Sequence, residues 1–226
     1  MSDPNLAKRA AAYAAADLVA SGMRIGLGSG STFAFVVERL GQRVKDGLRV
    51  AGVATSNTTA ELAQRAGVPL LELDAVDGLD LAIDGADEID PQKHLIKGGG
   101  GAHVRERLVA AAAREMVVVV DASKLVPVLG AKFLLPVEVL PLGWTHTARR
   151  IAATGCTPVR RERAGTPFVT DNGNFVLDCR YPGIPDPAGL QRWLDGIVGV
   201  VDHGLFVGMA GRVVVADAQG RVQVMP

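Results

Sequence analysis

Four short segments of this sequence carry residue types that do chemistry. The first is Gly26-Leu27-Gly28-Ser29-Gly30-Ser31-Thr32, where glycine-freed N–H groups and hydroxyls lie just before a helical pattern and together attract an anion. Ser31 replaces the third glycine of the dinucleotide fingerprint, and no Gly-Lys-Ser/Thr closes a Walker loop. The anion expected here is therefore the phosphate monoester of a small metabolite, although a tight turn with a helix cap would use the same residues. The second segment is Leu81-Ala82-Ile83-Asp84-Gly85-Ala86-Asp87-Glu88-Ile89-Asp90. Its carboxylates emerge at the end of an apolar strand, where open α/β sheets place ligands. Asp84 and Asp87 suit sugar hydroxyls, which both donate and accept, or proton shuttling. A Mg²⁺ site competes with that reading, without EF-hand spacing to support it, and so does an acidic turn in solvent.

The third segment runs from Lys97 through Gly98, Gly99, Gly100 and Gly101 to Glu106. Ordering four glycines in a row is entropically costly. The cost makes sense where backbone N–H groups approach a developing negative charge, with Lys97 adding a point charge, although a flexible loop would use the same residues. Glu106 sits on the helix that follows, and His103 between them reads as a helix-cap or surface residue. The fourth segment, Asp121-Ala122-Ser123-Lys124, follows a run of valines. Lys124 taken singly is an ordinary exposed lysine. The stronger argument is that all four segments are expected on one rim of one sheet.

The elements that must position these residues follow from hydrophobic period. Leu6, Ala10, Tyr13, Ala14 and Leu18 recur at helical spacing, as do Phe33, Val36, Val37, Leu40 and Val44, so helices are expected over 5–20 and 33–44. Short apolar strands at 23–27, 49–54, 79–83 and 116–120 alternate with those helices and with two more at 58–66 and 104–114. This alternation predicts a doubly wound, mainly parallel Rossmann-like sheet. Prolines then break the chain into shorter pieces, with strands at 136–140 and 158–162 around a helix at 145–153. A hairpin is expected over 168–179 about Asp171-Asn172-Gly173-Asn174, then a helix at 187–195 and a strand at 200–206. That order is the split βαβ, ferredoxin-like pattern of a smaller α+β domain. The expected division is residues 1–130 with 207–226 for the catalytic α/β domain and 131–206 for a small lid or oligomerisation domain. A last hairpin is expected over 213–225.

Composition narrows the function further. The 226 residues hold 24 basic and 24 acidic side chains, a balance that argues against nucleic-acid or anionic-membrane partners. Aromatics are 4%, leaving few platforms for stacking bases. Two cysteines, Cys156 and Cys179, offer neither a disulfide framework nor metal-ligand spacing. The first twenty residues mix charges with alanine, unlike a signal peptide, and no apolar run approaches the roughly 20 residues of a membrane span. A cytoplasmic location is the expectation.

The strings GLGSGSTFAFVVERL, ATSNTTAELAQRAGVPL, DLAIDGADEID, IKGGGGAHVRERL, DASKLV, LPVEV and VTDNGNFVLD resemble, in order and spacing, ribose-5-phosphate isomerase of type A. That resemblance implies interconversion of D-ribose 5-phosphate and D-ribulose 5-phosphate through an enediolate, a step of the non-oxidative pentose phosphate pathway, without metal or organic cofactor. It implies Glu106 as the base between C2 and C1, Asp84 assisting ring opening, and Asp87 holding sugar hydroxyls beside Gly85 and Ala86. Lys97 with Gly98, Gly99 and Gly100 would stabilise the enediolate. Ser29, Gly30, Ser31, Thr32 and Lys124 would hold substrate and its phosphate, with Lys8 a further contact. Ser29 departs from the threonine common in relatives, but both supply a hydroxyl. A homodimer or dimer of dimers is the implied assembly. Another sugar-phosphate isomerase, an amino-sugar-phosphate deaminase and a sugar-phosphate sensor are the competing readings. The sensor would need a basic helix-turn-helix, for which no residues are left over.

Overall fold

The computed structural model describes residues 5–226. The chain begins with α1 (Leu6–Ala16), β1 (Arg24–Leu27), α2 (Ser31–Lys45), β2 (Ala51–Ala54) and α3 (Asn57–Ala66). Next come β3 (Leu81–Asp84), β4 (Glu88–Ile89), β5 (Leu95–Ile96), α4 (His103–Ala111) and β6 (Met116–Asp121). There follow β7 (Leu135–Val139), α5 (Trp144–Ala152), β8 (Thr157–Arg160), β9 (Glu162–Arg163) and β10 (Thr166–Pro167). The chain closes with β11 (Phe175–Arg180), α6 (Pro187–Asp195), β12 (Val200–His203), β13 (Leu205–Phe206), β14 (Ala210–Ala216) and β15 (Val222–Met225).

These elements form two compact units. The first takes the described residues through Ala86, with Arg105–Lys124 and Met209–Pro226; the second takes Asp87–Val104 and Leu125–Gly208. The division expected from the sequence puts 87–104, 125–130 and 207–208 with the first unit, where the structure has them in the second. In the structure Ile96 and Val126 belong to the second core, with Leu129, Leu135 and Leu205, and Val126 N–H bonds the Ile89 carbonyl at 2.9 Å. Nothing in a two-residue strand such as β5 signals which core will claim it.

The first unit is a six-stranded sheet in the order β15-β14-β6-β3-β1-β2. The β1, β2, β3, β6 and β14 pairings are parallel, and β15 is the antiparallel edge of the expected final hairpin. Strands buried on both faces must read as continuous apolar runs, as Met116–Val120 does. One face carries Ile25, Leu27, Leu81, Ile83, Val117 and Val119 against Phe33, Val36, Val37 and Leu40 of α2 and the alanines of α1. The opposite face buries Val53, Leu79 and Ala82 with Val109 of α4. Small side chains at 11, 12, 15 and 16, all fully buried, let α1 lie close on its neighbours.

Arg212 of β14 grips Glu115, just before β6, through two hydrogen bonds of 2.6 and 2.7 Å. The Arg212 guanidinium holds the Glu115 carboxyl below its ordinary value of 4.5. A depressed carboxyl stabilises fully above its unfolded pKa, and that contribution is lost as pH falls through the lowered folded value. Both side chains are about one-third exposed, at 35% and 32%, so the pair contributes at most about 1 kcal/mol. Arg212→Ala is expected to lower Tm slightly at pH 7, and the gap should close as pH drops below the carboxylate range. A gap that widens in acid would refute this.

The second unit contains a four-stranded antiparallel sheet, β12-β7-β11-β8. Together with α5 and α6 this is the split βαβ order expected from the prolines and periodicity. Two local expectations fail. The hairpin over 168–179 contracts to an isolated bridge between Val169 and Phe175, and β11 pairs instead with β7 and β8. Buried Glu138 draws the turn inward, accepting from Thr170 Oγ1, Asn172 Nδ2 and Asn174 Nδ2 at 2.8–3.1 Å. The strand over 200–206 splits at Gly204, because β13 leaves β7 to pair with β5. A Cβ on Gly204 would lie 2.2 Å from the Lys97 carbonyl oxygen, so glycine alone permits that crossing.

Candidate active site

In the first unit, β6, β3 and β1 are parallel neighbours, so their C-terminal ends share one edge. The chain order reverses between β1 and β3, the switch point at which open α/β sheets bind ligands. Three of the four sequence segments meet that edge: the loop after β1, Asp84 at the end of β3, and the short turn Ala122–Lys124 after β6. The fourth does not belong to it. Lys97 and its glycines follow β5, in the three-stranded antiparallel sheet of the second unit.

Ser29 organises the edge. Its N–H donates to Asp84 Oδ1 at 3.0 Å, and its hydroxyl donates to Glu106 Oε1. Gly85 N–H also donates to Asp84 Oδ1, at 2.7 Å. One residue thus holds two buried carboxylates, 4% exposed each, in fixed positions. Ser29, expected to hold substrate, also bridges the two acid groups. Gly28 makes the bridge possible, since a Cβ there would lie 2.2 Å from Asp84 Oδ1 and 2.6 Å from Asp84 Cα. Gly28→Ala is expected to cost about 1–3 kcal/mol by overpacking and to depress activity with it. A variant with wild-type Tm and turnover would show that the loop can move away from Asp84.

Ser31 opens α2 behind Gly30, and Lys8 Nζ on α1 donates to Ser31 Oγ at 3.2 Å. A cation from the first helix therefore reaches the anion-attracting loop, a contact that no local pattern signals. Thr59, in the helix start after β2, also supports the loop. Its Oγ1 donates to the Gly28 carbonyl at 2.8 Å, while Ser56 caps α3 through Thr59 N–H. The signal for such a residue was a Ser/Thr-rich helix start directly after a strand.

In the second unit, Lys97 is buried, with Nζ 5.5 Å from the centroid of the Phe206 ring. Asp87 Oδ2 accepts the Gly99 N–H at 2.8 Å. The glycines form a tight turn closed by Gly101 N–H on the Gly98 carbonyl at 2.9 Å. Packing demands several of them: a Cβ would meet His103 Nδ1 at 2.6 Å from Gly98, Phe133 Cζ at 2.9 Å from Gly99, and Phe168 Cε1 at 2.3 Å from Gly101. Gly100 alone faces open space. The run is thus partly a packing requirement. His103, expected as a helix-cap or surface residue, does open α4 but is fully buried, pressed against Gly98.

Comparison with known proteins assigns this arrangement to a family. The family pattern of ribose 5-phosphate isomerase A (phosphoriboisomerase A) matches residues 51–220. Ribose-5-phosphate isomerase A 1 of Oceanobacillus iheyensis is 48% identical, over 96% of this chain and 97% of its own length. The structure of ribose 5-phosphate isomerase A from Methanocaldococcus jannaschii superposes with a TM-score of 0.91 at 40% identity, covering 96% and 97% of the two chains. A D-ribose-5-phosphate isomerase solved in complex with phospho-erythronic acid matches with a TM-score of 0.94 at 36% identity, covering 100% of this chain and 99% of its own.

Proposed function

The chain belongs to the ribose 5-phosphate isomerase A family, and on that premise we propose that Glu106 is the base that moves a proton between C2 and C1 of the open-chain sugar phosphate. The reaction is the interconversion of D-ribose 5-phosphate and D-ribulose 5-phosphate. The observation that carries the assignment of Glu106 is the Ser29 bridge, which fixes its carboxylate beside that of Asp84 at the switch point.

Chemically, Glu106 takes the C2 proton and the electron pair of that C–H bond forms the C1–C2 double bond. The carbonyl π electrons move onto O1, giving an enediolate. Return of the proton to C1, with transfer of the O2 proton to O1, leaves the C2 ketone. A weakly acidic C–H requires such a base together with preorganised donors for the oxyanion. Lys97 and the N–H groups of the glycine turn are proposed as those donors. Asp84, its Oδ1 held by two N–H groups, assists proton movement during opening of the furanose ring. Asp87, with Gly85 and Ala86 beside it in sequence, takes sugar hydroxyls.

The loop from Ser29 to Thr32, with Lys8 and Lys124, takes the phosphate. Remote binding energy from that dianion holds the short reacting chain in register. Lys124→Ala is accordingly expected to raise KM about tenfold or more, with kcat changed much less. Lost turnover at unchanged KM would move Lys124 to the chemistry. Phospho-erythronic acid, bound by the related enzyme, carries a carboxylate where the enediolate oxygens form and should inhibit competitively. The direct test is ketopentose formation from D-ribose 5-phosphate in EDTA. Chelator-insensitive conversion supports the reading, whereas binding without conversion would point to a sugar-phosphate sensor.

A cytoplasmic homodimer or dimer of dimers completes the proposal. Self-association is supported by exposed apolar side chains of the second unit, Leu142 at 92%, Val198 at 78% and Trp193 at 65%. Light scattering of the purified chain tests it.

A further inference from the structure

The second unit holds an ion pair that the scheme above does not use. Arg161 follows β8 directly, with its backbone locked by N–H donation to the Val176 carbonyl at 2.8 Å and by acceptance from Phe168 N–H at 2.9 Å. Asp178 lies diagonally across on β11. Arg161 Nε donates to Asp178 Oδ2 at 2.9 Å, and Nη2 donates to Oδ1. The pair is nearly enclosed, at 11% and 19% exposure. A fork-to-fork pair of this kind fixes the plane of a guanidinium as a single point charge cannot.

With Nε and Nη2 engaged by Asp178, Nη1 is presented to the glycine turn. It donates to the carbonyls of both Gly98 and Gly99, each at 3.1 Å. Arg163 Nη2 reaches the next carbonyl, that of Gly100, at 3.4 Å. Three successive carbonyls therefore face the arginines. In a trans peptide C=O and N–H point in opposite directions, so the N–H groups of Gly99 and Gly100 are turned to the other side. Asp87 confirms that direction for Gly99, because its carboxylate takes that N–H there. Phe168, against Gly101, and Phe133, against Gly99, limit sideways movement of the turn.

We propose that Arg161, anchored by Asp178, is a positioning residue of the isomerisation: it holds the Gly98 and Gly99 carbonyls, and with Gly99 N–H engaged by Asp87 this aims the Gly100 N–H at the enediolate oxygens. This rests on the reading that the glycine turn serves the enediolate. Arg161 touches no reacting atom and acts through the backbone. Lysine cannot replace it, since one ammonium cannot both fork to Asp178 and hold two carbonyls in plane.

The test compares Arg161→Ala, Arg161→Lys and Asp178→Asn with the wild type for kcat, KM and inhibition by two probes, phospho-erythronic acid and inorganic phosphate. Misaiming oxyanion donors by a fraction of an ångström to 1 Å should lower kcat/KM about 10- to 100-fold in Arg161→Ala. Inhibition by phospho-erythronic acid should weaken in similar proportion, and inhibition by phosphate should stay within about twofold because phosphate is gripped by the first unit's residues. Arg161→Lys should restore Tm without restoring analogue affinity. If Arg161→Ala does not fold, Asp178→Asn, which keeps the arginine but weakens its anchor, should show a smaller change in the same direction.

A purely structural role would remove active molecules. It would lower kcat alone and leave both inhibition constants at wild-type values, and that result overturns the proposal. Full recovery of turnover and analogue affinity by Arg161→Lys would overturn it too. Glu106→Gln run alongside separates the two failures. If Glu106→Gln is inactive while the Arg161 and Asp178 variants match the wild type, the positioning role alone is wrong. If Glu106→Gln turns over normally, the reading beneath it is wrong.

Discussion

Glu106→Gln is expected to fold normally, bind D-ribose 5-phosphate and lose about three orders of magnitude in kcat, within the 10²- to 10⁴-fold range of general-base removal. A thousandfold loss corresponds to about 4 kcal/mol of barrier. The amide matches the carboxylate in shape, and its oxygen can still accept the Ser29 hydroxyl that Glu106 Oε1 accepts now. What it cannot do is take the C2 proton. Since Glu106 is only 4% exposed, the change also removes the desolvation cost of a buried charge, so Tm should hold or rise. KM should move by no more than a few-fold, because the proposed phosphate grip is untouched. Exchange of a C2 deuteron into solvent, followed by NMR, reports the same step and should disappear with turnover. Near-normal kcat in a pure preparation would remove Glu106 from the role.

Lys97→Met is expected to cost about 10²- to 10³-fold in kcat, the loss typical when one oxyanion donor is removed. Lys97 is held on both backbone sides. Its N–H donates to the Gly204 carbonyl at 2.8 Å, and its own carbonyl crowds the site where a Gly204 side chain would be. Its stem is buried and its ammonium lies 5.5 Å from the centre of the Phe206 ring. Methionine keeps the length and the contact with the aromatic ring while deleting the charge, so the packing should survive. Burying an ammonium at 3% exposure is costly, and Tm should again hold or rise. A drop in kcat with intact folding places the charge at the chemistry; turnover within fivefold of wild type would reduce Lys97 to a packing residue.

The two variants test residues that differ in how far the sequence alone accounts for them. Glu106 is legible as a carboxylate in the first turn of a helix that follows a glycine run. Its bridge to Asp84 is not, because it runs through Ser29, 77 positions away from Glu106 and 55 from Asp84. Lys97 is legible as the cation before the glycines. Its strand is not, because β5 is two residues long and its sheet is completed by Leu205–Phe206 from near the end of the chain.

Hydrophobic period, glycine runs and prolines act within a few residues, so the helices and the longer strands were legible locally, while the two-residue strands β4 and β5 and the turn over 168–179 were not. The sequence also placed the glycine loop, Asp84 and Lys124 at the ends of parallel strands, because a parallel β/α sheet puts every strand's C-terminal end on one edge. Tertiary structure decided what those residues do to one another. Gly28 is a glycine because Asp84 leaves no room, and Gly98, Gly99 and Gly101 are glycines partly because His103, Phe133 and Phe168 fill the space a side chain would take. Arg161 reaches the turn across 63 positions of chain, and its sequence neighbours give no sign of the carbonyls it will hold. Close packing and hydrogen-bond satisfaction are imposed only when distant segments meet. For that reason the candidate residues were readable along the chain, while the contacts among them were readable only in three dimensions.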